Sequence, residues 1–499
     1  MTSRLARMAP ALVFVAVSIL YVATTAPGLT WAHGGAAGGD LVAAAYTLGI
    51  PHPTGYPTFV LLGKLFTLLP CGGVAWRLHL LSALAGAGAV ALVAATARRL
   101  LATVEPREAL PAALTAAGLL ATGRLLWSQA VIAEVHALNA FWAALGLYLA
   151  VRVAQRPSAR ALGLVGLALG LGLGNEQTLG LLVPSLVVLA WPGLRRLPRL
   201  AWLDGLAGLA VGLAVYLYLP LRAWQEPRLA WGQPGDLQGF LWHVSGAASR
   251  YQVFALPASA LPERLWAWVG MAAAQFTWPG LGLAVAGLVH WWQHDGRLFA
   301  ASSLGAGLYL AYALGYDTPQ AHVYLLPALL LATLGLAEGA RLLAASLRRH
   351  LPALPVAGLA LLLVAVALAV NAPAVSLRGD RAAESYARAA LRHLPPDAVI
   401  CSAADAHTYA LWYAQWVLGP RPRWAVIDTR LLGHPWYRRA LRRDHPDLAL
   451  PDLTAADPVQ ALLAANRTWR PVYLADPVPV PPPELISTGQ WGLDDPPRH

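Results

Sequence analysis

The sequence predicts an all-α polytopic membrane protein of about eleven transmembrane helices, with a small α/β domain on its C-terminal side. Three observations predict it. Only 12% of the 499 residues are charged and 57% are apolar, whereas soluble domains carry roughly a quarter charged residues. Apolar runs near the roughly 20 residues needed to cross a bilayer recur along the chain. After about residue 372 prolines and charges rise, and short buried-strand patterns alternate with helical ones.

The spans are expected at residues 9–27, 78–100, 109–127, 136–153, 160–174, 177–193, 200–221, 265–292, 298–315, 321–341 and 353–371. The first follows Arg4 and Arg7 and resembles a signal peptide, but the many later spans favour an uncleaved helix. Thr58 to Leu69 is apolar but short, is bounded by Pro57 and Pro70, and carries Lys64. Such a length suits an interfacial or re-entrant helix better than a span. With it left out, Arg98, Arg99, Arg107, Arg152, Arg156, Arg160, Arg195, Arg196, Arg199, Arg297, Arg341, Arg348 and Arg349 fall on one side, together with Arg4 and Arg7. Positive residues mark the cytoplasmic side, so the N-terminus is expected in the cytoplasm of a cell whose inner (plasma) membrane the chain crosses. Everything after about Asn371 is then extracytoplasmic.

Residues 373–499 form the expected outer domain, and 1–372 the membrane domain. AVICS (398–402) and WAVID (424–428) read as short buried strands, and PVYLA (471–475) follows the last helix. Thr408 to Leu418, Pro435 to Arg442 and Pro458 to Ala465 read as helices, and PVPVPPPE reads as a polyproline-like tail.

The net charge of +11 is nearly all arginine, Lys64 being the single lysine. Positive cytoplasmic loops explain it, and no nucleic-acid motif is present. Cys71 and Cys401 make no metal or redox motif, although pairing between them stays open. Walker, HExxH and dinucleotide-binding patterns are absent, so no cofactor is called for.

The outer side collects Asp40, His52, Arg77, Glu134, His136, Asn175, Glu176, Arg222, Tyr316, Asp317 and His322. Ionisable groups at membrane ends are costly and commonly mark a site or pathway. Asp40 precedes an apolar helical run. It suits a helix cap, a general base taking a proton from a hydroxyl, or a ligand for a divalent cation. In HPTGYP, prolines and Gly55 set a rigid turn. There His52 could be a base, a phosphate donor, a ligand or a structural ring, and Tyr56 an interface anchor or a sugar-stacking ring. WSQAVIAEVHALN places Glu134 and His136 at the outer start of a helix, and GNEQT reads first as a polar turn capped by Asn175. Arg222 ends a span, where it can snorkel or meet a lipid-linked phosphate, whose oxygens a guanidinium matches. Arg77 offers the same chemistry.

GGDLVAAAYTLGIPHPTGYPTFVLLGKLFTLLP, followed by RLHLLSAL, resembles the opening of a bacterial membrane-protein family related to the animal transmembrane protein O-mannosyltransferase. WSQAVIAEVHALN, LGNEQT, YLYLPLRA, WGQPGDLQGFLWHVSG and YDTPQAHVYLLPA resemble later blocks, and RPRWAVIDTRLLGHPWY more weakly resembles the family tail. The resemblance implies a GT-C-like glycosyltransferase using a polyprenyl-phosphate sugar donor, with its site on the outer face. It implies inverting transfer of a sugar, mannose among the candidates, to a hydroxyl on a protein or glycan. Asp40 becomes the base and Arg222, then Arg77, the donor-phosphate ligands. His52, Tyr56, Glu134, His136, Asn175, Glu176, Asp317 and His322 become lining candidates. The chain departs from the family pattern at Ala37, where many members carry a second acid three residues before Asp40, and at Glu176, where many carry histidine. The second reading of the same features is a transporter or lipid flippase, which predicts polar breaks near mid-membrane and repeat symmetry. A third is a scaffold for the outer domain, where Asp405 and His407 follow the first strand.

Overall fold

The computed structural model describes residues 2–351, 356–419, 422–451 and 457–476; the polyproline-like tail lies outside the described residues. Each expected span contains helix among the described residues. The bundle comprises α1 (Thr2–Val22), α4 (Val74–Leu100), α5 (Pro106–Thr122) with α6 (Arg124–Ala130), α7 (Val135–Gln155), α8 (Ala159–Leu173) and α9 (Val183–Leu194). It continues through α10 (Ala201–Leu213) with α11 (Tyr218–Ala223), α13 (Leu261–His294), α14 (Gly296–Gly315), α15 (Leu326–His350) and α16 (Val356–Val375). Between them lie α2 (Gly38–Thr47), α3 (Pro57–Thr67) and α12 (Leu237–Val244). Among the described residues eight helices are long and apolar enough to cross a membrane alone, and a ninth if α5 and α6 count as one span bent by 60°. Residues 7–22 and α8 are shorter apolar helices, as is α3. The protein is a multi-pass membrane protein.

The breaks are satisfied from neighbouring helices, as a low-dielectric surrounding requires. At the α5/α6 bend Gln275 Oε1 accepts from the backbone N–H of Leu125 at 3.0 Å, and its amide donates to the Leu120 carbonyl. Asn371 donates to the carbonyls of Thr122 and Ala274. Gly123 stands at the corner because a Cβ there would collide with Gln275. Helix α13 is itself broken at Thr277, two residues before Pro279. Helices α8 and α10 meet along glycines: Gly163, Gly166 and Gly170 face Gly205, Gly208 and Gly212 backbone to backbone, the close approach small residues permit. The arginine-rich helix ends also meet. Arg99 donates to Gln155 across α4 and α7, and Arg297 donates to the Leu189 carbonyl.

Helix α16 runs to Val375, three residues past the expected boundary at 372. Beyond it, α17 (Ala382–His393), α18 (Asp405–Tyr413), α19 (Pro435–Asp444) and α20 (Pro458–Asn466) surround a three-stranded parallel sheet. Its strands are β1 (Val399–Ser402), β2 (Ala425–Asp428) and β3 (Val472–Leu474), in the order β2-β1-β3. Val399 pairs with Ala425 on one side and Val472 on the other. Both strands and all three helices read from the sequence are present; β3 falls within PVYLA, and α17 was not expected. Cys71 is exposed, Cys401 lies buried in β1, and both are free thiols, so no disulfide joins them. The C-terminal sheet and the short helices α2 and α3 share one apolar core. Leu41, Phe59 and Leu78 from the N-terminal helices join Ile400, Trp412 and Ile427 from the C-terminal domain.

Candidate active site

Helix α2 carries Asp40 in its first turn, but the carboxylate does not cap the helix. Ala37 holds the N-cap position and no side chain caps it. Asp40 is instead fully buried. Its Oδ2 accepts the His52 backbone N–H at 2.9 Å and lies 2.7 Å from His52 Nδ1, while its Oδ1 has no partner. Burial alone would lower the His52 pKa; the hydrogen bond and charge of Asp40 override it and raise it above the usual imidazole value. The dyad is therefore oriented, with one carboxylate oxygen left to act on something else.

The reversal that brings His52 back over Asp40 has local causes. Leu48 ends α2 in the left-handed region, at φ 55°. Ile50 then bridges to Ala230 of the segment between α11 and α12, and Tyr56 enters α3 at φ 41° just before Pro57. The lid over the dyad comes from α18, with Tyr409 stacked on His52 at 6.0 Å. Tyr56 and Trp231 meet the same ring edge-on at 5.1 and 6.3 Å. The approach of α18 to α2 is so close that a Cβ on Gly39 would collide with the Tyr409 backbone carbonyl.

At the other end of α2, Arg222 Nε donates to the Leu48 carbonyl at 2.6 Å, and Tyr218 donates to that of Gly49. Arg222 and Arg228 line a cavity of about 330 Å³ with Tyr46, Thr47, Pro227, Leu229 and Trp416. The Arg228 guanidinium also lies over the Trp416 ring at 5.6 Å. Asp40 and Thr47 stand about 10 Å apart along the helix at about 1.5 Å per residue. The acid and this basic cavity thus occupy the two ends of one short helix on one side of the bundle.

A second polar group lies beside the dyad. Glu134 is buried with Oε1 unpartnered, and burial pushes its carboxyl up to about 7 against the opposing charges of His136 and His52. His136 Nδ1 lies 3.2 Å from Glu176 Oε2, and Thr178 donates to Glu176 Oε1 at 2.6 Å. Asn175 is no simple cap: its amide donates to the Val135 carbonyl and ties the turn after α8 to the start of α7. Tyr324 meets His136 edge-on at 5.8 Å, and His322 lies in the turn Ala321–Leu325, near enough for its charge to interact with that of His136.

Two candidates lie apart. Arg77 donates to the carbonyls of Thr67, Cys71 and Gly72, closing the end of α3. Asp317 is half exposed and faces Arg264 at 3.9 Å. Sequence reasoning missed Arg228, Trp231, Tyr409 and Trp412. The pairing of arginines with tryptophans between Arg222 and Trp231 was the available signal. Among the described residues no group of three or more His, Cys, Asp or Glu side chains is placed to hold a metal ion.

A family model described as the protein O-mannosyl-transferase TMEM260 N-terminal domain matches residues 38–193, which include the dyad, and one described as TMEM260-associated domain 2 matches 383–451. Protein O-mannosyl-transferase TMEM260 of Mus musculus is 29% identical over 497 residues, covering 92% of this chain and 68% of the mouse protein. The chain is related to the TMEM260 O-mannosyl-transferases. The Dictyostelium discoideum member is 26% identical over 252 residues, 46% of this chain but only 30% of that protein. Among solved structures, ArnT from Cupriavidus metallidurans, bound to undecaprenyl phosphate, matches with a TM-score of 0.53 at 14% identity, over 82% of this chain and 85% of ArnT. That likeness establishes a GT-C-like fold for this relative of TMEM260.

Proposed function

We propose that the chain is an inverting membrane glycosyltransferase, moving a sugar from a polyprenyl-phosphate donor to a hydroxyl on a protein or glycan acceptor. One observation carries the reading: a fully buried carboxylate, oriented by His52 and with one oxygen free, shares a short helix with a cavity lined by two guanidinium groups. Asp40 Oδ1 takes the acceptor hydroxyl proton as its oxygen attacks the anomeric carbon. The bond from that carbon to the phosphate oxygen breaks, the configuration inverts, and polyprenyl phosphate leaves with the bonding pair. Arg222 and Arg228 stabilise the charge that grows on the phosphate, and Tyr46 and Trp416 offer apolar surface to the lipid.

Mannose is the sugar most in keeping with the relatives' names. The arginine asymmetry supports placing the site outside the plasma membrane, with the N-terminus cytoplasmic and the outer domain exoplasmic. No step calls for a resident metal, and undiminished turnover in EDTA is the expected result.

Asp40→Asn keeps the shape of the side chain and removes the base. With purified chain, polyprenyl-phosphate mannose and an acceptor peptide, we expect a folded variant with at least a hundredfold lower transfer. Transfer at the wild-type rate would remove Asp40 from the base role. Uptake of the lipid-linked sugar into vesicles without release of polyprenyl phosphate would favour a flippase instead.

A further inference from the structure

The segment between α11 and α13 carries large apolar side chains in the open. Its helix α12 has eight residues, about 12 Å at about 1.5 Å per residue, far short of the apolar layer of a bilayer. Asp236 caps it, its carboxylate accepting the Gly239 N–H at 2.6 Å. Leu237 and Leu241 stand one turn apart on one face and are 74% and 55% exposed. The opposite face is packed. His243 is fully buried, its ring seated against Gly55 and Gly232, where an added Cβ would meet it at 2.8 and 2.9 Å. Trp242 packs on Trp436 at 6.3 Å. The helix is held from one side and open on the other.

The open face continues a surface that already meets lipid. Ala201–Ala223 is long and apolar enough to cross a membrane, and little of it is covered by the rest of the chain. Leu206 and Val211 are exposed along it. At its end Leu217, Leu221 and Trp224 follow at helical spacing, all exposed, Trp224 by 68%. The Trp224 indole donates to the Gly235 carbonyl at 2.7 Å, which holds its ring beside the residue that precedes the Asp236 cap. The apolar stripe of the span therefore runs through Trp224 to the start of α12. Uncovered apolar surface of this kind marks an interaction site. A short helix with a leucine face, too short to span, suits the plane of the membrane surface, and tryptophan favours the membrane–water boundary. Lipid that covers the end of α11 reaches α12 without a gap.

We infer that α12 lies along the bilayer surface, with Leu237 and Leu241 in the apolar layer and Trp224 at its edge. The partner is the lipid itself. The bilayer then bears, through one short helix, on Gly55 in the turn that carries His52. The inference is independent of the transferase reading, and no part of its test measures transfer.

The test uses the full chain in nanodiscs of phosphatidylcholine and phosphatidylglycerol, one copy per disc, with nitroxide labels read by collisional relaxation. Cys71→Ser removes the exposed thiol and leaves Cys401 buried. On that background Leu237→Cys and Leu241→Cys are labelled singly. Leu206→Cys, on the lipid-facing side of α10, sets the lipid reference, and Asp397→Cys, exposed just ahead of β1, sets the aqueous one. Labels at 237 and 241 should collide with lipid-soluble oxygen in preference to an aqueous nickel chelate by at least about threefold over the label at 397. Trp224→Cys gives a separate reading at the edge, expected between the two references, and serves if the leucine variants misfold. Labels at 237 and 241 that match the label at 397 would overturn the inference. A second copy or a soluble protein as the true occupant would give that same result, because a disc with one copy leaves the face in water.

Discussion

Replacing Glu134 by glutamine tests the electrostatics around the Asp40–His52 pair without changing side-chain volume. Glu134 is 6% exposed, Oε1 has no partner, and burial raises its pKa from 4.5 to about 7. At about 1.4 kcal/mol per pH unit, that displacement corresponds to on the order of 3 kcal/mol. The sign follows from proton counting. Between 4.5 and about 7 the folded chain holds a proton that the unfolded chain has released, so stability falls as pH rises and levels off above the folded value. His52, whose pKa is also raised, loses its contribution in the same direction as it deprotonates. The assay is the apparent thermal midpoint in detergent, scanned from about pH 5 to about pH 8 in both proteins. Wild type should lose midpoint across the scan, and Glu134→Gln should lose clearly less, with the largest gain over wild type at the alkaline end. A wild-type midpoint that is flat or rises with pH, or an equal decline in the variant, would refute the reasoning.

The other predictions concern contacts between elements. Gly39→Ala drives a methyl group into the Tyr409 backbone carbonyl; expected are a loss of about 1–3 kcal/mol and faster proteolysis within residues 383–451. Gln275→Leu leaves the N–H groups of Leu125 and Leu126 without their acceptor at the α5/α6 bend. It should cost about 1–3 kcal/mol, read as a lower midpoint or lower yield of folded chain. Arg222→Ala removes one guanidinium from the basic cavity and should raise the KM for lipid-linked donor at least tenfold, with Arg222→Lys intermediate; an unchanged KM would detach the cavity from donor binding.

The helices were legible because each apolar run meets lipid or its neighbours over nearly its whole length. Strands β1 and β2 were legible because AVICS and WAVID are short, apolar and β-branched. The dyad was legible only in part. Asp40 and His52 stand twelve residues apart, and their meeting depends on Leu48 turning left-handed and on Ile50 bridging to Ala230. Neither has a local pattern in the sequence. Asp40 looked like a cap because acids favour that position, but the glycines ahead of it let the helix start at Gly38, which moves Asp40 inside. Tyr409 and Trp231 were invisible as neighbours of His52, since tertiary packing alone brings them there. Arg77 and Arg222 looked alike as span-end arginines; their different roles emerge only from what their N–H groups reach.

The seating of α18 on α2 bears on how the protein is made. The two helices are far apart in sequence, so during synthesis Asp40 waits uncovered until the segment carrying α18 has emerged. A chain cut short before α18 would hold the acid in contact with water, without Tyr409 against His52. Burial of the Asp40–His52 pair therefore depends on the arrival of α18.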